Sequence, residues 1–262
     1  MKILEELAAA ARERAAEQKN KISPAAMRRM AEEMNADTGF PFYQAVKRPG
    51  LSFICEVKKA SPSKGVIAAD FPYQEIAREY EEAGAAALSV LTEPTRFLGR
   101  DEYLEEIAGQ AGIPVLRKDF TVDEYMIYQA KVLGASAVLL ICSLLSGNQL
   151  KEYLEIARSL GLSALVEAHT ADEVEMGLSA GAGIIGVNNR NLKDFTVDID
   201  NSVRLRELVP PSVCFVSESG IRTAEDLRRL YENGTDAVLI GEAFMRAGDK
   251  KALMEAFRRE AR

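Results

Sequence analysis

Ionisable side chains end several of the short apolar runs in this chain. Glu56 and Lys58 close the run SFICEVK, and Lys118 and Glu167 stand at the ends of two later runs. Burying an unpaired carboxylate or ammonium is costly, so a buried strand keeps such groups mainly where they are paired or open onto a solvent-filled site. A lysine can donate a proton near neutral pH if neighbouring cations or burial lower its pKa, and a carboxylate can accept one if its own pKa is raised. The pattern therefore predicts acid–base chemistry.

The elements that must position these residues alternate regularly from Leu51 onward. Short runs rich in β-forming residues are followed by helical stretches such as YQEIAREYEEAG, whose apolar residues recur at three and four and which stop at glycine. Eight such βα units predict the α/β class and a (β/α)8 TIM barrel. A doubly wound open sheet is the alternative, but no GxGxxG follows the first strand. The predicted strands are SFICEVK, AALSVLT, PVLRKD, SAVLLIC, SALVEA, GIIGVNN, VCFVSES and DAVLIG.

The first fifty residues lack this alternation. They contain two helical segments separated by ISP, so we expect residues 1–50 to form an N-terminal helical extension packed on the barrel. The length of 262 residues suits one barrel, and we expect residues 1–262 to form a single domain.

The composition argues against several classes of partner. The formal net charge is −7 and no concentrated basic run is present, which disfavours nucleic acid or an anionic membrane. No apolar run is long enough to span a bilayer and the first residues lack a signal-peptide pattern, so we expect a cytoplasmic protein. We also expect the protein to be a monomer. The three cysteines lie inside apolar runs and are expected to be buried thiols: Cys55, Cys142 and Cys214.

The only histidine of the chain, His169, precedes Thr170 and Glu173, which resemble a capping box for the next helix. We therefore expect His169 to be an exposed residue at a helix start rather than a catalytic residue. One histidine and scattered carboxylates provide no ligand spacing, so no metal site is expected.

Polar residues collect where each predicted strand gives way to the following loop. In a (β/α)8 barrel all these carboxyl ends open on one face, and the active residues of barrel enzymes lie there. For Glu56 and Lys58 alone, a structural ion pair is the alternative, but the equivalent positions of Lys118 and Glu167 favour a shared active site. The residues at these positions are Glu56, Lys58, Lys118, Asp119, Glu167, Asn188, Arg190, Glu218 and Ser219.

The last two units contain a second signal, a glycine after each strand. Gly220 in SESGI and Gly241 in LIGEAF would let backbone N–H groups approach a ligand, close to the start of a helix. Each glycine alone is explained by a tight turn, but the pair at these two strands predicts a phosphate site. Ser61 and Ser63, after the first strand, would donate hydroxyl hydrogen bonds to the same anion or to a carboxylate.

Six motifs in a fixed order resemble one enzyme family over nearly the full length of the chain. They are EVKKASPSKG, VLRKDF, LVEAH, GVNNRNL, VSESGI and LIGEAFM. The chain resembles the indole-3-glycerol phosphate synthase family, whose members are (β/α)8 barrels with an N-terminal helical extension. The resemblance implies ring closure of 1-(2-carboxyphenylamino)-1-deoxyribulose 5-phosphate, a small phosphorylated substrate, with loss of CO₂ and water. It also implies that no metal or organic cofactor is needed.

The resemblance further implies roles for the catalytic residues. Lys118 matches the general acid that protonates the substrate carbonyl, and Glu167 matches the carboxylate that assists dehydration. Lys58 and Glu56 match a coupled pair near the substrate carboxylate and the sugar hydroxyls, and Lys58 is a second candidate acid. The polar groups that orient this pair and the sugar match Asn188, Glu218 and Ser219.

The substrate-binding residues follow from the same resemblance. Arg190 matches the residue near the anthranilate carboxylate, where a planar fork suits bidentate binding. Phe97 and Phe120 match an apolar slot for the aromatic ring, which Leu192 completes, and Glu242 belongs to this set through LIGEAFM. The loop TEPTRFLGR departs from the family pattern at its proline.

Two alternative functions remain from the residues. An isomerase similar to phosphoribosylanthranilate isomerase would need a cysteine base on the first strand and an aspartate acid on the sixth. Cys55 points away from the side shared by Glu56 and Lys58, and the sixth strand ends in Asn188. A catalytically silent barrel that binds a phosphate ligand is the other alternative, and Lys118 counts against it.

Overall fold

A computed structural model describes residues 2–191 and 194–260. In the described residues, eight parallel strands form a closed barrel, so the open-sheet alternative is wrong. Each strand agrees with its predicted run to within one residue at either end. The barrel strands are β1 (Ser52–Val57), β2 (Ala87–Leu91), β3 (Val115–Lys118), β4 (Ala137–Ile141), β5 (Ser163–Ala168), β6 (Ile184–Asn188), β7 (Cys214–Glu218) and β8 (Ala237–Ile240).

Strand order follows chain order, and the barrel closes where β1 pairs with both β2 and β8. Ile54 shows this closure, since its register partners are Ala87 on one side and Leu239 on the other. A short antiparallel hairpin, Ala60–Ser61 with Gly65–Val66, follows β1. It places the loop of Ser61 and Ser63 beside the carboxyl ends of the strands.

Helices surround the barrel and precede it. The predicted helix YQEIAREYEEAG ends before Gly84, whose φ angle of 93° lies in the left-handed region that favours glycine. The helices in the described residues are α1 (Lys2–Lys21), α2 (Pro24–Glu32), α3 (Pro41–Val46), α4 (Tyr73–Glu82), α5 (Asp101–Gln110), α6 (Tyr125–Val132), α7 (Gly147–Ser159), α8 (Ala171–Ser179), α9 (Asp200–Arg206), α10 (Ala224–Glu232), α11 (Glu242–Arg246) and α12 (Lys250–Glu260), with a 3₁₀ turn at Cys142–Leu144.

The region before the barrel contains three helices where the sequence predicted two. The additional helix, α3, has six residues, too few to show a helical period. Pro41 starts it, and the side chains of Phe42 and Val46 are fully buried in the cluster that fills the barrel interior. Helix α3 therefore closes the amino end of the barrel.

Alternation along the strands separates two apolar cores. Ile54 belongs to the cluster inside the barrel, whereas its neighbour Cys55 belongs to the cluster between the strands and the helices. All three cysteines are free and buried, as predicted. Within the part of the chain that the structure describes, no helix is both long and apolar enough to cross a membrane.

Candidate active site

A cavity of about 370 Å³ opens at the carboxyl ends of the barrel strands. It brings together all of the sequence-predicted site residues that the structure describes; Leu192 lies outside the described residues. Its floor is the uppermost apolar layer of the barrel, which includes Leu139 and Leu239. The predicted residues that line it are Glu56, Lys58, Ser61, Ser63, Phe97, Lys118, Asp119, Phe120, Glu167, Asn188, Arg190, Glu218, Ser219, Gly220, Gly241 and Glu242.

Lys118, the last residue of β3, lies between two carboxylates. Its Nζ atom is 3.3 Å from Oε2 of Glu167 on β5 and 3.5 Å from Oε2 of Glu218 on β7. Burial alone would lower the pKa of Lys118, but the two carboxylates outweigh burial and hold the pKa above its ordinary value. Lys118 is therefore a charged ammonium at neutral pH, and the lowered pKa that the sequence allowed for is not found because carboxylates rather than cations surround its Nζ atom.

The two carboxylates beside Lys118 differ in their ionisation. Burial acts to raise the pKa of Glu167, but the positive charges of Lys118 and His169 outweigh it and keep that pKa below its ordinary value. Burial raises the pKa of Glu218 to about 8, and the negative charge of Glu167 adds to the rise. Near neutral pH, Glu167 is thus an ionised carboxylate and Glu218 is mainly a neutral acid.

Gly186 on β6 makes room for Glu218. Its register partner on β5 is Glu167, so Gly186 faces the barrel interior beside the acidic pair. A Cβ atom at this position would clash with Oε1 of Glu218 and would lie 2.9 Å from Cδ1 of Leu165. The glycine is required because the barrel interior has no space for both side chains.

Glu56 and Lys58 point to the same side at the end of β1, as their spacing predicted, and they form an ion pair there. Their side chains are 7% and 15% exposed, so the pair is mostly removed from water but still reaches the cavity. A Cβ atom on Gly241 would lie 2.5 Å from Oε2 of Glu56 and 2.8 Å from Nζ of Lys58. Gly241 therefore accommodates this pair as well as ending β8.

Asn189 connects two loops of the site and was not predicted. Its Nδ2 atom donates to Oγ of Ser217 (3.0 Å) and to the carbonyl of Ser219 (3.1 Å), and its Oδ1 atom accepts from the hydroxyl of Ser202 (2.8 Å). Ser219 has a φ of 66°, an uncommon conformation for a residue other than glycine. The buried Asn189 network supports that conformation. The only signal for Asn189 in the sequence was its position directly after Asn188, a predicted site residue.

The apolar slot consists of Phe97 and Phe120, whose ring centroids are 6.2 Å apart. Glu93, fully buried, holds the loop that presents Phe97, because its carboxylate accepts the backbone N–H groups of Thr95 (2.8 Å), Arg96 (2.8 Å) and Phe97 (3.0 Å). Glu93 was not predicted from the sequence. The signal was a carboxylate directly after the apolar run of β2 and before a proline.

Helix α1 covers part of the cavity. Ile3, Leu4 and Leu7 line it, so the N-terminal extension contributes to the site. Asp119 attaches this helix, since both of its carboxylate oxygens accept from Nη2 of Arg14, at 2.6 and 2.7 Å. Asp119 was predicted with the strand-end residues of the site, and its contacts show that it anchors α1.

His169 is only 19% exposed at its side chain, so the expectation of an exposed residue was wrong. Its Nε2 atom lies 3.8 Å from Oε1 of Glu167, and its Nδ1 atom 3.6 Å from Oε2 of Glu173. Half of the predicted capping box is present, because Oγ1 of Thr170 accepts from the backbone N–H of Glu173 at 3.3 Å, whereas the Glu173 carboxylate accepts from the backbone N–H of His169 instead of that of Thr170. The error arose because the sequence does not show that this helix start packs against Glu167.

A closed barrel with a buried lysine between carboxylates, at the face where eight strands end, defines a (β/α)8-barrel enzyme site. The family model of indole-3-glycerol phosphate synthase matches residues 4–257. The chain belongs to the indole-3-glycerol phosphate synthase family.

Several relatives support this membership. Indole-3-glycerol phosphate synthase of Ruminiclostridium cellulolyticum is 54% identical over 259 residues, covering 99% of this chain and 100% of that protein. The protein of the same name from Lachnoclostridium phytofermentans is 50% identical, covering 96% of this chain and 97% of that protein. The one from Endomicrobium trichonymphae is 59% identical over 208 residues, covering 79% of this chain and 81% of that protein.

Solved structures with low sequence identity share the fold. The 3-hexulose-6-phosphate synthase of Salmonella typhimurium has a TM-score of 0.66 and 13% identity, covering 80% of this chain and 98% of that chain. The thiamine phosphate pyrophosphorylase of Pyrococcus furiosus has a TM-score of 0.61 and 17% identity, covering 84% and 97%. At these identities the likeness concerns the barrel alone.

Proposed function

We propose that this chain is a carboxy-lyase of tryptophan biosynthesis that converts 1-(2-carboxyphenylamino)-1-deoxyribulose 5-phosphate into indole-3-glycerol phosphate, CO₂ and water. Its family membership supports the reaction. The observation that carries the assignment of roles is Lys118, which is charged, mostly buried and held between Glu167 and Glu218 in the cavity.

Ring closure needs an acid at the substrate carbonyl. The aromatic carbon that bears the carboxylate attacks this carbonyl carbon, and Lys118 donates a proton to the carbonyl oxygen as the bond forms. Loss of CO₂ from the same aromatic carbon then restores the aromatic ring. Because the pKa of Lys118 is raised by Glu167 and Glu218, its charged form is available at neutral pH, and its charge also stabilises the developing oxyanion.

Dehydration of the ring-closed intermediate needs both a base and an acid. The hydroxyl group formed in the first step leaves as water after it takes up a proton, and Glu167 accepts the proton lost from the neighbouring carbon. Glu167 suits this role because Lys118 and His169 lower its pKa against the effect of burial, which keeps it ionised. The ion pair of Lys58 and Glu56 lies in the same cavity, where Lys58 is a second candidate acid.

The remaining residues that line the cavity bind different parts of the substrate. We propose that the phosphate binds near Gly220 and Gly241, after β7 and β8, where backbone N–H groups can approach it. The aromatic ring then packs against Phe97 and Phe120, with its carboxylate near the guanidinium of Arg190. All residues of this proposed site come from one chain, so the proposal requires no second copy.

A direct test is to incubate the protein with the carboxyphenylamino substrate and to follow indole fluorescence. The chain contains no tryptophan, so the product signal has little background. Steady formation of indole-3-glycerol phosphate is expected, and a protein that binds the product without turnover would contradict the proposed reaction.

The Glu167→Gln variant tests the division of the two steps. It keeps the shape of the side chain and removes the base, so dehydration should slow by about 10²- to 10⁴-fold and a ring-closed, hydroxylated species should accumulate in rapid-mixing experiments. Glu175→Gln, an identical change at an exposed position on α8, is the matched control. A block before ring closure in Glu167→Gln would assign Glu167 to the first step instead.

A further inference from the structure

The two oxygens of Glu167 face different cations. Oε2 is 3.3 Å from Nζ of Lys118, whereas Oε1 is 3.8 Å from Nε2 of His169. The Glu167 side chain is only 2% exposed, so both approaches take place away from bulk water. The proposed reaction uses Lys118 as an acid and includes no proton transfer by His169.

The His169 ring is held in this direction by its surroundings. One oxygen of Glu173, Oε2, accepts the backbone N–H of His169 at 2.6 Å and lies 3.6 Å from Nδ1 of its ring. The carbonyl of His169 accepts from Nδ2 of Asn201 at 3.2 Å. Nε2 thus points inward, where it is buried and has no hydrogen-bond partner within the described residues. A buried polar atom of this kind is uncommon and calls for an explanation.

The charges around the ring favour its protonated form. Burial lowers the pKa of His169, but Glu173 and Glu167 outweigh burial and bring the pKa above its ordinary value. In an imidazolium both nitrogens are donors, and each then faces a carboxylate. Several titratable groups face the ring or the carboxylates of Glu167 and Glu173. They are Glu167 on β5, Glu173 on α8, Glu218 on β7, Lys118 on β3 and Cys142 in the 3₁₀ turn.

We propose that His169 is a positioning residue for the reaction. As an imidazolium held by Glu173, it faces Oε1 of Glu167 and keeps this carboxylate ionised and oriented for proton transfer. His169 is not among the residues that line the cavity, so it acts through Glu167 and does not touch the substrate. This inference rests on the proposed role of Glu167 as the base of the dehydration step.

The first experiment is an NMR titration of the imidazole in protein without an affinity tag. The chain has a single histidine, so one resonance reports the ring. The midpoint should lie above the ordinary value of about 6.5 in the wild type and should fall in Glu173→Gln, while Glu175→Gln should leave it unchanged. A wild-type midpoint at or below the ordinary value, or no change in Glu173→Gln, would overturn the proposal.

The second experiment is the pH profile of the dehydration rate in single turnovers. Without the imidazolium, ionised Glu167 loses a stabilising charge, so in His169→Asn the acid limb should move upward by about one pH unit, with KM unchanged. His169→Lys restores a cation and should return the limb toward its wild-type position. Thr170→Ala, which removes the cap of α8 and keeps His169, should not move it. An unchanged limb in His169→Asn would refute the role of His169.

A third measurement separates this inference from the proposed reaction. In protein labelled with ¹³C at the glutamate carboxyl groups, the Glu167 signal is identified by its loss in Glu167→Gln. Its titration should shift upward in His169→Asn whether or not the substrate turns over. Absence of turnover in the wild type would therefore refute the reaction alone, whereas an unshifted Glu167 titration would refute the contact between His169 and Glu167.

Discussion

The two ends of the barrel are built from the same strands and have opposite character. At the amino end the interior is apolar and closed by α3, whose Phe42 and Val46 are fully buried. At the carboxyl end the interior carries ionisable groups around an open cavity. In four strands the change occurs between residues that are two apart and point to the same side: Ile54 and Glu56, Leu116 and Lys118, Leu165 and Glu167, Val216 and Glu218.

One end of each of these strands contributes to stability, and the other end contributes to the chemistry of the site. The apolar layer excludes water below the site, so the groups above it lie in a low-dielectric environment where each charge has a strong effect on its neighbours. The raised pKa of Glu218, which burial brings to about 8, is a consequence of this arrangement. Substitutions at the amino end should therefore affect folding, and substitutions two residues further along should affect turnover.

The largest expected effect is on turnover, in Lys118→Ala. Without its ammonium the carbonyl is not protonated during ring closure, so kcat should fall by about 10²- to 10⁴-fold. Rapid-mixing and steady-state kinetics measure this, and circular dichroism together with product binding shows whether the fold and the phosphate site persist. Turnover close to that of the wild type would remove Lys118 from the role of acid.

At the amino end, the Phe42→Ala variant is expected to lose stability while its turnover is kept. The side chain is fully buried against the barrel interior, so its truncation should lower the free energy of unfolding by about 3–5 kcal/mol. The kcat of the molecules that remain folded should be unchanged, because the cavity lies at the other end. Chemical denaturation and active-site titration check the two parts. A loss of kcat per folded molecule comparable to that of Lys118→Ala would break the distinction between the ends.

The last expected effect concerns pH and stability at the carboxyl end. Burial raises the pKa of Glu218 from 4.5 to about 8, so between these values the folded state holds a proton that the unfolded state has lost. The stabilisation by Glu218 is therefore complete below the lower value and is lost as pH rises through the upper one. The free energy of unfolding of the wild type should fall with rising pH in this window more steeply than that of Glu218→Gln. Parallel curves in urea denaturation would count against the raised pKa.

Much of the site could be predicted from the sequence, because a period of two in a strand shows which residues share a side. The prediction that Glu56 and Lys58 point to the same side rests on this period alone, and their contact at the end of β1 agrees with it. Four features were not predicted, for a common reason. They act through groups that are brought near them by folding, and short or irregular segments have no periodic signal; these features are Glu93, Asn189, the orientation of His169, and helix α3.

The sequence by itself determined where the eight strands lie and which end of each carries ionisable residues, because apolar runs, helix-ending glycines and alternation are local properties of the chain. Only the tertiary structure decided the protonation of those residues. Glu167 and Glu218 occupy equivalent positions near the ends of β5 and β7, yet burial raises the pKa of Glu218 while Lys118 and His169 lower that of Glu167 against burial. The pKa of a buried carboxylate depends on the neighbours that folding places around it, and these come from distant parts of the chain.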